Sequence, residues 1–288
     1  MALYNIENLR CSYERPYTEG RSRVVLEIKK LEISRGEKIF IVGESGIGKS
    51  TILETLGMMN NTIVPDLNTR FVFQTSDMRE VDLKALWYAD DAVLSAFRLK
   101  NYSFIFQSTN LMRNFTAYEN VAYTRMLQGY SRQEAFERTR QVLVDLGLEH
   151  IDEARMAQEL SGGQQQRLAF ARAILPDFTV LFGDEPTGNL DPENAMRVMK
   201  IISKKIDEHE GASAIIVSHD MHLATTFADV IIKIRKEIRP KRHDEDEDIV
   251  YGVIDEDCVF RPNEARSSWS CGKENYPTSD FEEFLRKK

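Results

Sequence analysis

The sequence predicts an α/β fold in which parallel strands carry functional groups at their carboxyl ends. Three short apolar runs support this prediction because each ends in polar residues: 39–42, 179–185 and 212–220. Buried parallel strands have near-continuous apolar runs rather than alternating ones. Ligands of open α/β sheets bind beyond the carboxyl ends of such strands. We therefore expect one binding site along one edge of a parallel sheet.

The first run leads into a glycine-rich segment, Gly43 to Ser50, with the pattern G-x-x-x-x-G-K-[ST] and a predicted helix after it. Gly46 and Gly48 let the backbone bend so that successive N–H groups face an anion, and the helix N-terminus adds partial positive charge. Lys49 can reach the outer phosphates, and the Ser50 hydroxyl can ligate Mg²⁺. The segment predicts a phosphate-binding loop for a nucleoside triphosphate.

Composition and charge limit the class of protein. The chain has 288 residues, of which 42% are hydrophobic and 29% charged, as expected for a globular protein with one large core or two smaller ones. Its net charge of −8 provides no basic field, so we expect no nucleic-acid partner. No apolar run approaches the ~20 residues of a membrane span, and no signal peptide is recognised at the N-terminus. Three cysteines without metal-ligand spacing suit a reducing compartment, which predicts a cytoplasmic protein.

The N-terminal residues 1–37 alternate apolar and polar side chains in places. This alternation predicts an antiparallel β region that leads into the first parallel strand. Tyr13 lies in this region. Its ring could stack on an adenine, or it could be a half-buried tyrosine of a strand, and the local pattern favours neither interpretation.

Residues 108–160 have a helical pattern, which predicts a helical subdomain inserted into the α/β body. Ser131 and Glu134 form a predicted capping box, and Gly147 is the expected C-terminal end of that helix. The strand predicted just before the subdomain ends in Gln107. A lone glutamine is usually a solvated surface residue, so Gln107 alone predicts no function.

A second dense motif lies at residues 160–167, with the sequence Leu-Ser-Gly-Gly-Gln-Gln-Gln-Arg. Ser161 can cap a helix that runs to about Ile174, and the two glycines after it allow close backbone approach. The motif is therefore a possible second phosphate-facing helix start, without a lysine. Because Ser-Gly-Gly is also a common loop sequence, the motif alone does not establish a site.

The run at residues 179–185 ends in two acids, Asp184 and Glu185. Adjacent residues of a strand point to opposite faces, so one acid can hold Mg²⁺ through water while the other faces an attacking water. Without a phosphate loop in the chain, two solvated acids would be the default interpretation. His219 lies in the polar triplet that ends the run at 212–220. A lone histidine is more often structural, but at the carboxyl end of such a strand it is a site candidate.

The rest of the chain carries fewer chemical signals. Asp191, which precedes a proline, is the predicted N-cap of the next helix. Residues 229–235 predict a further strand, and the acidic run at 244–248 predicts a solvated loop. Residues 249–260 are expected to return as the partner strand of a hairpin, and a short capped helix is expected at 279–285.

Together these motifs resemble those of the ATP-binding-cassette (ABC) ATPase family. They occur in the family's order: the phosphate loop 43–50, Gln107, Leu160–Gln164, the acids 184–185, residues 189–191 and His219. The resemblance covers about residues 1–235. It implies a P-loop NTPase domain with an antiparallel β subdomain and a helical subdomain at about 108–175. Residues 236–288 match nothing in the family core and form a predicted C-terminal extension. The segment Asp184–Asp191 resembles the branch of lipoprotein-release, macrolide-export and cell-division ATPase subunits.

The resemblance implies how ATP and Mg²⁺ would bind. Tyr13 would stack on the adenine, with Tyr17 as a rival for that role. The loop residues would bind the phosphates: Gly43, Ser45, Gly46, Gly48, Lys49, Ser50 and Thr51. Ser50 and Gln107 would ligate Mg²⁺, and Asp184 would bind it through water.

The resemblance also implies the catalytic roles. Glu185 would polarise the attacking water, and His219 would contact the γ-phosphate and orient that water. Lys49 and Gln107 complete the predicted catalytic set through the γ-phosphate and the metal.

Family members place two ATP molecules between head-to-tail protomers, which implies a homodimer in the ATP-bound state. Ser161 and Gly163 would complete the site of the second copy, and Asp191 would act across the interface. A separate transmembrane permease is the implied partner, contacted through Gln107 and the helical subdomain. The protein would then lie on the inner face of the cell membrane.

Two other functions compete with this one. A soluble ABC ATPase could act on nucleic acid or ribosomes, but such members usually carry long coiled coils, zinc-binding cysteines or tandem cassettes, and this chain is acidic. A binding module with an inactive site would lack a catalytic residue. Because Lys49, Asp184, Glu185 and His219 are all present, the sequence disfavours that alternative.

Overall fold

The computed structural model describes residues 1–14, 22–188, 190–209, 211–240 and 248–287. Tyr17, Asn189 and most of the acidic run, residues 244–247, lie outside the described residues. The strands are β1 Ala2–Glu14, β2 Ser22–Ser34, β3 Lys38–Val42, β4 Arg70–Gln74, β5 Glu80–Asp82, β6 Tyr102–Ile105, β7 Val180–Asp184, β8 Ser213–Val217, β9 Val230–Lys233, β10 Arg235–Arg239, β11 Ile249–Ile254, β12 Val259–Pro262, β13 Ser268–Cys271 and β14 Glu274–Pro277. The helices are α1 Lys49–Leu56, α2 Leu83–Leu86, α3 Asp91–Asn101, α4 Ala117–Leu127, α5 Arg132–Asp145, α6 Gly162–Ile174, α7 Pro192–Glu208, α8 Met221–Phe227 and α9 Thr278–Arg286.

The strands form two sheets. The first has the order β10-β11-β2-β1-β4-β5, and β1 pairs with β2 in antiparallel register along nearly their whole length. The second has the order β14-β13-β12-β9-β3-β8-β7-β6, in which β9 to β6 are parallel. The predicted α/β fold with an N-terminal antiparallel region is therefore confirmed.

Strand β3 lies at the centre of the parallel sheet and separates two hydrophobic cores. Successive side chains of a strand point to opposite faces. Ile39 and Ile41 accordingly lie in the core between the two sheets, whereas Phe40 and Val42 lie in the core beneath the helices. With apolar side chains on both faces, β3 is a rigid support for the loop that follows it.

The helical subdomain consists of α4, α5 and α6, which pack on one another. The capping box predicted at Ser131 and Glu134 is confirmed, and α4 and α6 begin with equivalent boxes. Gly147 has a φ of +66° just after α5, a left-handed conformation that favours glycine at a helix end. The subdomain bounds of about 108–175 stay a prediction.

Two local interpretations of the sequence need correction. The apolar pattern of residues 81–100 indicates a helical segment, but the structure has a short strand and two helices there, because Asp82 and Asp90 each cap a separate helix start. The terminal helix α9 begins at Thr278 without a side-chain cap. The Ser279 hydroxyl donates instead to the Asp280 carboxylate, which leaves the helix start uncapped.

The residues after β9 extend both sheets. The hairpin predicted across the acidic run forms between β10 and β11, which pair in antiparallel register, and β11 then joins β2. Its second strand ends at Ile254 rather than at Phe260, because a short 3₁₀ helix at 256–258 interrupts it and Phe260 lies in β12. Strand β12 pairs with β9, and β13 and β14 follow it in the other sheet. Helix α9 packs on β13 and β14. Trp269 and Phe281, both fully buried, stack with ring centroids 5.2 Å apart and join α9 to these strands. The domain boundary at residue 235 stays a prediction.

Within the ranges that the structure describes, no helix combines the length and apolar character needed to cross a membrane.

Candidate functional site

Four neighbouring parallel strands bring polar residues to one edge of the sheet. The paired residues near this edge are Ile41 with Val217, Val217 with Asp184, and Ile105 with Gly183. The glycine-rich loop follows β3, His219 follows β8, Asp184 ends β7 and Gln107 follows β6. The predicted gathering of these groups at the carboxyl ends of the strands is therefore observed.

The loop between β3 and α1 has the backbone conformation that its glycines allow. Gly46 and Gly48 have φ values of +76° and +104°, in the left-handed region that disfavours other residues. A Cβ at Gly48 would also lie 3.2 Å from the Val25 carbonyl oxygen. Gly48 is the N-cap of α1, and no side chain caps that helix start. Its first N–H groups therefore remain available to an anion.

Lys49 lies beneath the loop and is only 6% exposed. Its ammonium donates hydrogen bonds to the carbonyl oxygens of Gly43 at 2.9 Å and Glu44 at 2.7 Å. Burial lowers the pKa of Lys49, and the nearby carboxylates of Glu185 and Asp184 oppose that shift. The loop carbonyls thus fix a cation at the point where the outer phosphates of a nucleotide would lie.

Ser50 and Asp184 place two oxygen ligands side by side. The Ser50 hydroxyl lies 3.4 Å from Asp184 Oδ1, within long hydrogen-bond distance. Burial raises the pKa of Asp184, while the Ser50 hydrogen bond lowers it. Among the described residues, no group of three or more His, Cys, Asp or Glu could hold a metal ion. A hydroxyl and one carboxylate fit Mg²⁺, which usually completes its shell with water and substrate phosphates.

The raised pKa of Asp184 predicts an effect on stability. The folded state binds this proton more tightly than the unfolded state, so stability falls as pH rises from the ordinary Asp range through the folded pKa. The carboxylate is therefore destabilising at neutral pH. We expect Asp184→Asn to raise the thermal midpoint of the protein at pH 7, measured by calorimetry.

Asp191→Asn is the matched control for that variant. The hydrogen bonds from Asn194 lower the pKa of Asp191, so this carboxylate stabilises the protein at neutral pH and loses that effect as pH falls through its folded pKa. The control should not raise the midpoint. A lower midpoint for Asp184→Asn would contradict the sign worked out for Asp184.

Glu185 and His219 form a direct contact. His219 Nε2 lies 2.6 Å from Glu185 Oε1, and the Glu185 backbone N–H donates to the Val217 carbonyl at 3.0 Å. Glu185 has a φ of +47°, which is unusual for a residue with a side chain and often marks a functional position. Asp184 thus contacts Ser50, whereas the adjacent Glu185 contacts His219. The two acids therefore have different side-chain partners.

Gln107 and Tyr13 lie on different sheets, since Gln107 follows β6 and Tyr13 is part of β1. Gln107 is exposed, two residues beyond Ile105 at the end of β6. Tyr13 is 44% exposed, and its hydroxyl lies 3.4 Å from Thr51 Oγ1 in the first turn of α1. Its ring therefore lies beside the phosphate loop, on β1.

Ser161, Gly163 and Asp191 lie apart from these residues within one chain. All three are exposed. Ser161 caps α6 by accepting from Gln164 N–H, and Asp191 caps α7 by accepting from Asn194 N–H, as predicted. Within the described ranges, their side-chain hydrogen bonds stay at these helix starts. A Cβ at Gly163 would meet nothing within 4 Å, so this face of the helix start is open.

Sequence reasoning missed two lysines near the loop. Lys236 lies 3.1 Å from Glu44 Oε2, and Lys233 donates to the carbonyl oxygens of Phe284 and Lys287. Both lysines line a cavity of about 970 Å³ between the loop and the C-terminal end of α9. In the sequence, Lys233 ends the apolar run of β9 and Lys236 follows three residues later. Neither position alone predicts a functional site.

The family model described as ABC transporter matches residues 26–188. The chain belongs to the ABC transporter family. This ABC ATPase is 35% identical over 227 residues to the lipoprotein-releasing system ATP-binding protein LolD of Myxococcus xanthus, covering 79% of this chain and 94% of that protein. It is 35% identical over 233 residues to the macrolide export ATP-binding/permease protein MacB of Campylobacter fetus, covering 81% of this chain but only 33% of that protein.

A solved structure has the same fold as this ABC ATPase. It is a dimeric post-hydrolysis state of the ATP-binding cassette MJ0796 bound to ADP and Pi, with a TM-score of 0.67 and 28% sequence identity. The match covers 80% of this chain and 93% of that chain. The rest of this chain has no counterpart in that structure.

Proposed function

We propose that this ABC ATPase supplies the mechanical energy of a membrane complex. Two copies would close on ATP, and their closure would drive a separate transmembrane permease from the inner face of the membrane. The observation that carries the proposal is the single sheet edge where Lys49, the Ser50–Asp184 pair and the Glu185–His219 pair surround an anion-binding loop. Such a set suits phosphoryl transfer, which depends on positioning and charge stabilisation.

ATP would bind along the loop and the start of α1. The residues that would contact it are Tyr13 at the adenine and Gly43, Ser45, Gly46, Gly48, Lys49, Ser50 and Thr51 at the phosphates. The free N–H groups at the α1 start and the ammonium of Lys49 supply positive charge at the position that triphosphate needs. The position of Tyr13 beside Thr51 supports its proposed contact with the adenine.

Ser50, Gln107 and Asp184 would hold Mg²⁺, with Asp184 acting through water. The metal, when bound, would neutralise charge on the outer phosphates. Gln107 and Asp184 lie at the carboxyl ends of the neighbouring strands β6 and β7, which supports this choice of metal ligands.

Glu185 would polarise the attacking water, and His219 would orient that water and contact the γ-phosphate. Their 2.6 Å contact supports this pairing, since His219 can fix the direction in which the Glu185 carboxylate points. Glu185 directly follows the buried strand β7, and its backbone N–H donates to the Val217 carbonyl oxygen, so its backbone is anchored to the sheet.

Ser161 and Gly163 would meet the ATP of the second copy, and Asp191 would act across the interface. The support is their exposure and their lack of contact with the loop of their own chain. A helix start with an open face and no lysine is suited to a phosphate held elsewhere. The dimeric state of the related ATP-binding cassette agrees with this arrangement.

The permease would dock on the helical subdomain beside Gln107. A cavity of about 560 Å³ lies there, lined partly by residues 108–111, Arg113 and Gln165. The subdomain and the end of β6 also expose large apolar side chains: Phe106, Tyr123, Met126, Leu127 and Tyr130. Phe106 lies two residues before Ser108, which lines the cavity, and exposed apolar side chains beside a cavity are typical of an interaction site.

We expect Glu185→Gln protein with ATP to recover a polytopic permease from detergent-solubilised native membranes, identified by mass spectrometry. Adding Arg113→Glu should reduce that recovery by at least about 10-fold, because it reverses a charge in the proposed docking cavity. Arg138→Glu, an equal charge reversal on the exposed face of α5, is the control and should not reduce it. Recovery of ribosomal or DNA-repair proteins without a membrane subunit would contradict the permease proposal.

A further inference from the structure

The helix that follows His219 is contacted by the C-terminal extension. Asp220 caps α8 directly after His219, by accepting from the Leu223 N–H at 3.0 Å. Helix α8 packs against α9, the last helix of the described chain. The position of His219 relative to Glu185 is therefore coupled to a helix that packs against the end of the described chain.

Glu282 of α9 makes two side-chain contacts with α8. Its Oε1 accepts a hydrogen bond from Thr225 Oγ1 at 2.9 Å and lies 3.2 Å from His222 Nδ1. The Thr225 hydroxyl also lies 3.0 Å from the Met221 carbonyl oxygen and 3.1 Å from the His222 carbonyl oxygen, both in its own helix. A hydroxyl has one proton, so these acceptors compete for it. A carboxylate is a stronger acceptor than a backbone carbonyl.

Other residues of the extension fix both helices. Arg266 donates to the carbonyl oxygens of Thr226 and Ala228 at the end of α8. Phe281, one residue before Glu282, is fully buried against Trp269. Glu282 is thus presented from a well-packed element, which a residue needs if it is to hold another in place.

We propose that Glu282 is a positioning residue for His219, and this inference rests on the proposed role of His219 in ATP hydrolysis. With Glu282 present, its carboxylate competes with the Met221 and His222 carbonyl oxygens for the Thr225 proton. Without it, the hydroxyl donates to its own helix alone, and such back-bonds bend helices. A stronger bend at the start of α8 displaces His219 from Glu185, and even a ~1 Å displacement of a catalytic group can cost ~10²-fold in rate.

The first test compares Glu282→Ala, Glu282→Gln and Glu283→Ala in steady-state ATP hydrolysis. Glu282→Ala should lower kcat by about 3- to 30-fold and leave the KM for ATP unchanged, because it does not touch the phosphate loop. Glu282→Gln keeps a carbonyl acceptor and should restore most of kcat. Glu283, a neighbour whose carboxylate pairs with Lys287 at the surface, is the matched control and should retain wild-type kcat.

A second variant separates positioning from loss of folding. Thr225→Val has no hydroxyl to form the back-bond, so adding it to Glu282→Ala should recover part of kcat. A merely destabilised protein would gain nothing from this addition, and thermal midpoints measured on the same samples report that directly. No recovery in the double variant, or equal kcat for Glu282→Ala and Glu283→Ala, would overturn the inference.

His219→Ala distinguishes this inference from the proposed function. If His219→Ala retains wild-type kcat, the proposed role of His219 fails, and the positioning role of Glu282 fails with it. If His219→Ala loses kcat while Glu282→Ala retains it, only the positioning role fails. Loss of kcat in both, with rescue by Thr225→Val in the second, supports both.

Discussion

Glu185→Gln should bind ATP with nearly unchanged affinity and hydrolyse it about 10²–10⁴-fold more slowly, the usual contribution of a catalytic base. The amide keeps the size of the side chain and an acceptor for His219, but it cannot take up a proton from water. The phosphate loop and Lys49 are untouched, so binding should persist. Phosphate release measured alongside equilibrium nucleotide binding separates the two effects.

Glu44→Gln is the control for charge near the phosphate loop. Glu44 follows Gly43 in the loop, but its carboxylate pairs with Lys236 rather than with His219. An exposed ion pair of this kind contributes little, so turnover should stay within about 3-fold of the wild type. Equal slowing in both variants would mean that negative charge near the loop matters, rather than a base at position 185. Unchanged turnover in Glu185→Gln would remove Glu185 from its role.

The functional groups at the sheet edge could be predicted from the sequence because residues close together in the chain determine them. The apolar run of β3 and the glycines after it lie within a few residues of one another, and the structure has the strand, loop and helix that they predict. The helix starts at Ser131, Ser161 and Asp191 were likewise predictable, because a capping side chain bonds to a backbone N–H only three residues away.

The contacts that the sequence did not predict join residues far apart in the chain. Lys236 and Glu44 are separated by 192 positions, and Glu282 and Thr225 by 57. No periodicity or motif links such residues, since their proximity follows from sheet order and helix packing. The extension after residue 235 is a case in point. Its aromatic residues suggested no partner, yet Trp269 and Phe281 pack together and place α9 against α8.

ATP should convert the Glu185→Gln protein from monomer to dimer, and adding Gly163→Asp should prevent this conversion. In the proposed dimer, Gly163 faces the γ-phosphate held by the second copy, and a carboxylate there would repel it. Like charges brought together at an interface weaken association strongly, by at least about 10²-fold in the dimer dissociation constant. Size-exclusion chromatography with light scattering measures the mass with and without ATP.

The outcome is interpretable because the substitution should not disturb the fold. A Cβ at Gly163 meets no atom within 4 Å, and a carboxylate near a helix N-terminus is favourable. Gln133→Asp provides the matched control, because Gln133 is the second residue of α5 as Gly163 is of α6, and both are exposed. The Gln133→Asp control should still form a dimer with ATP. If Gly163→Asp also dimerises, residue 163 lies outside the interface. If Glu185→Gln stays monomeric at saturating ATP, closure requires the permease.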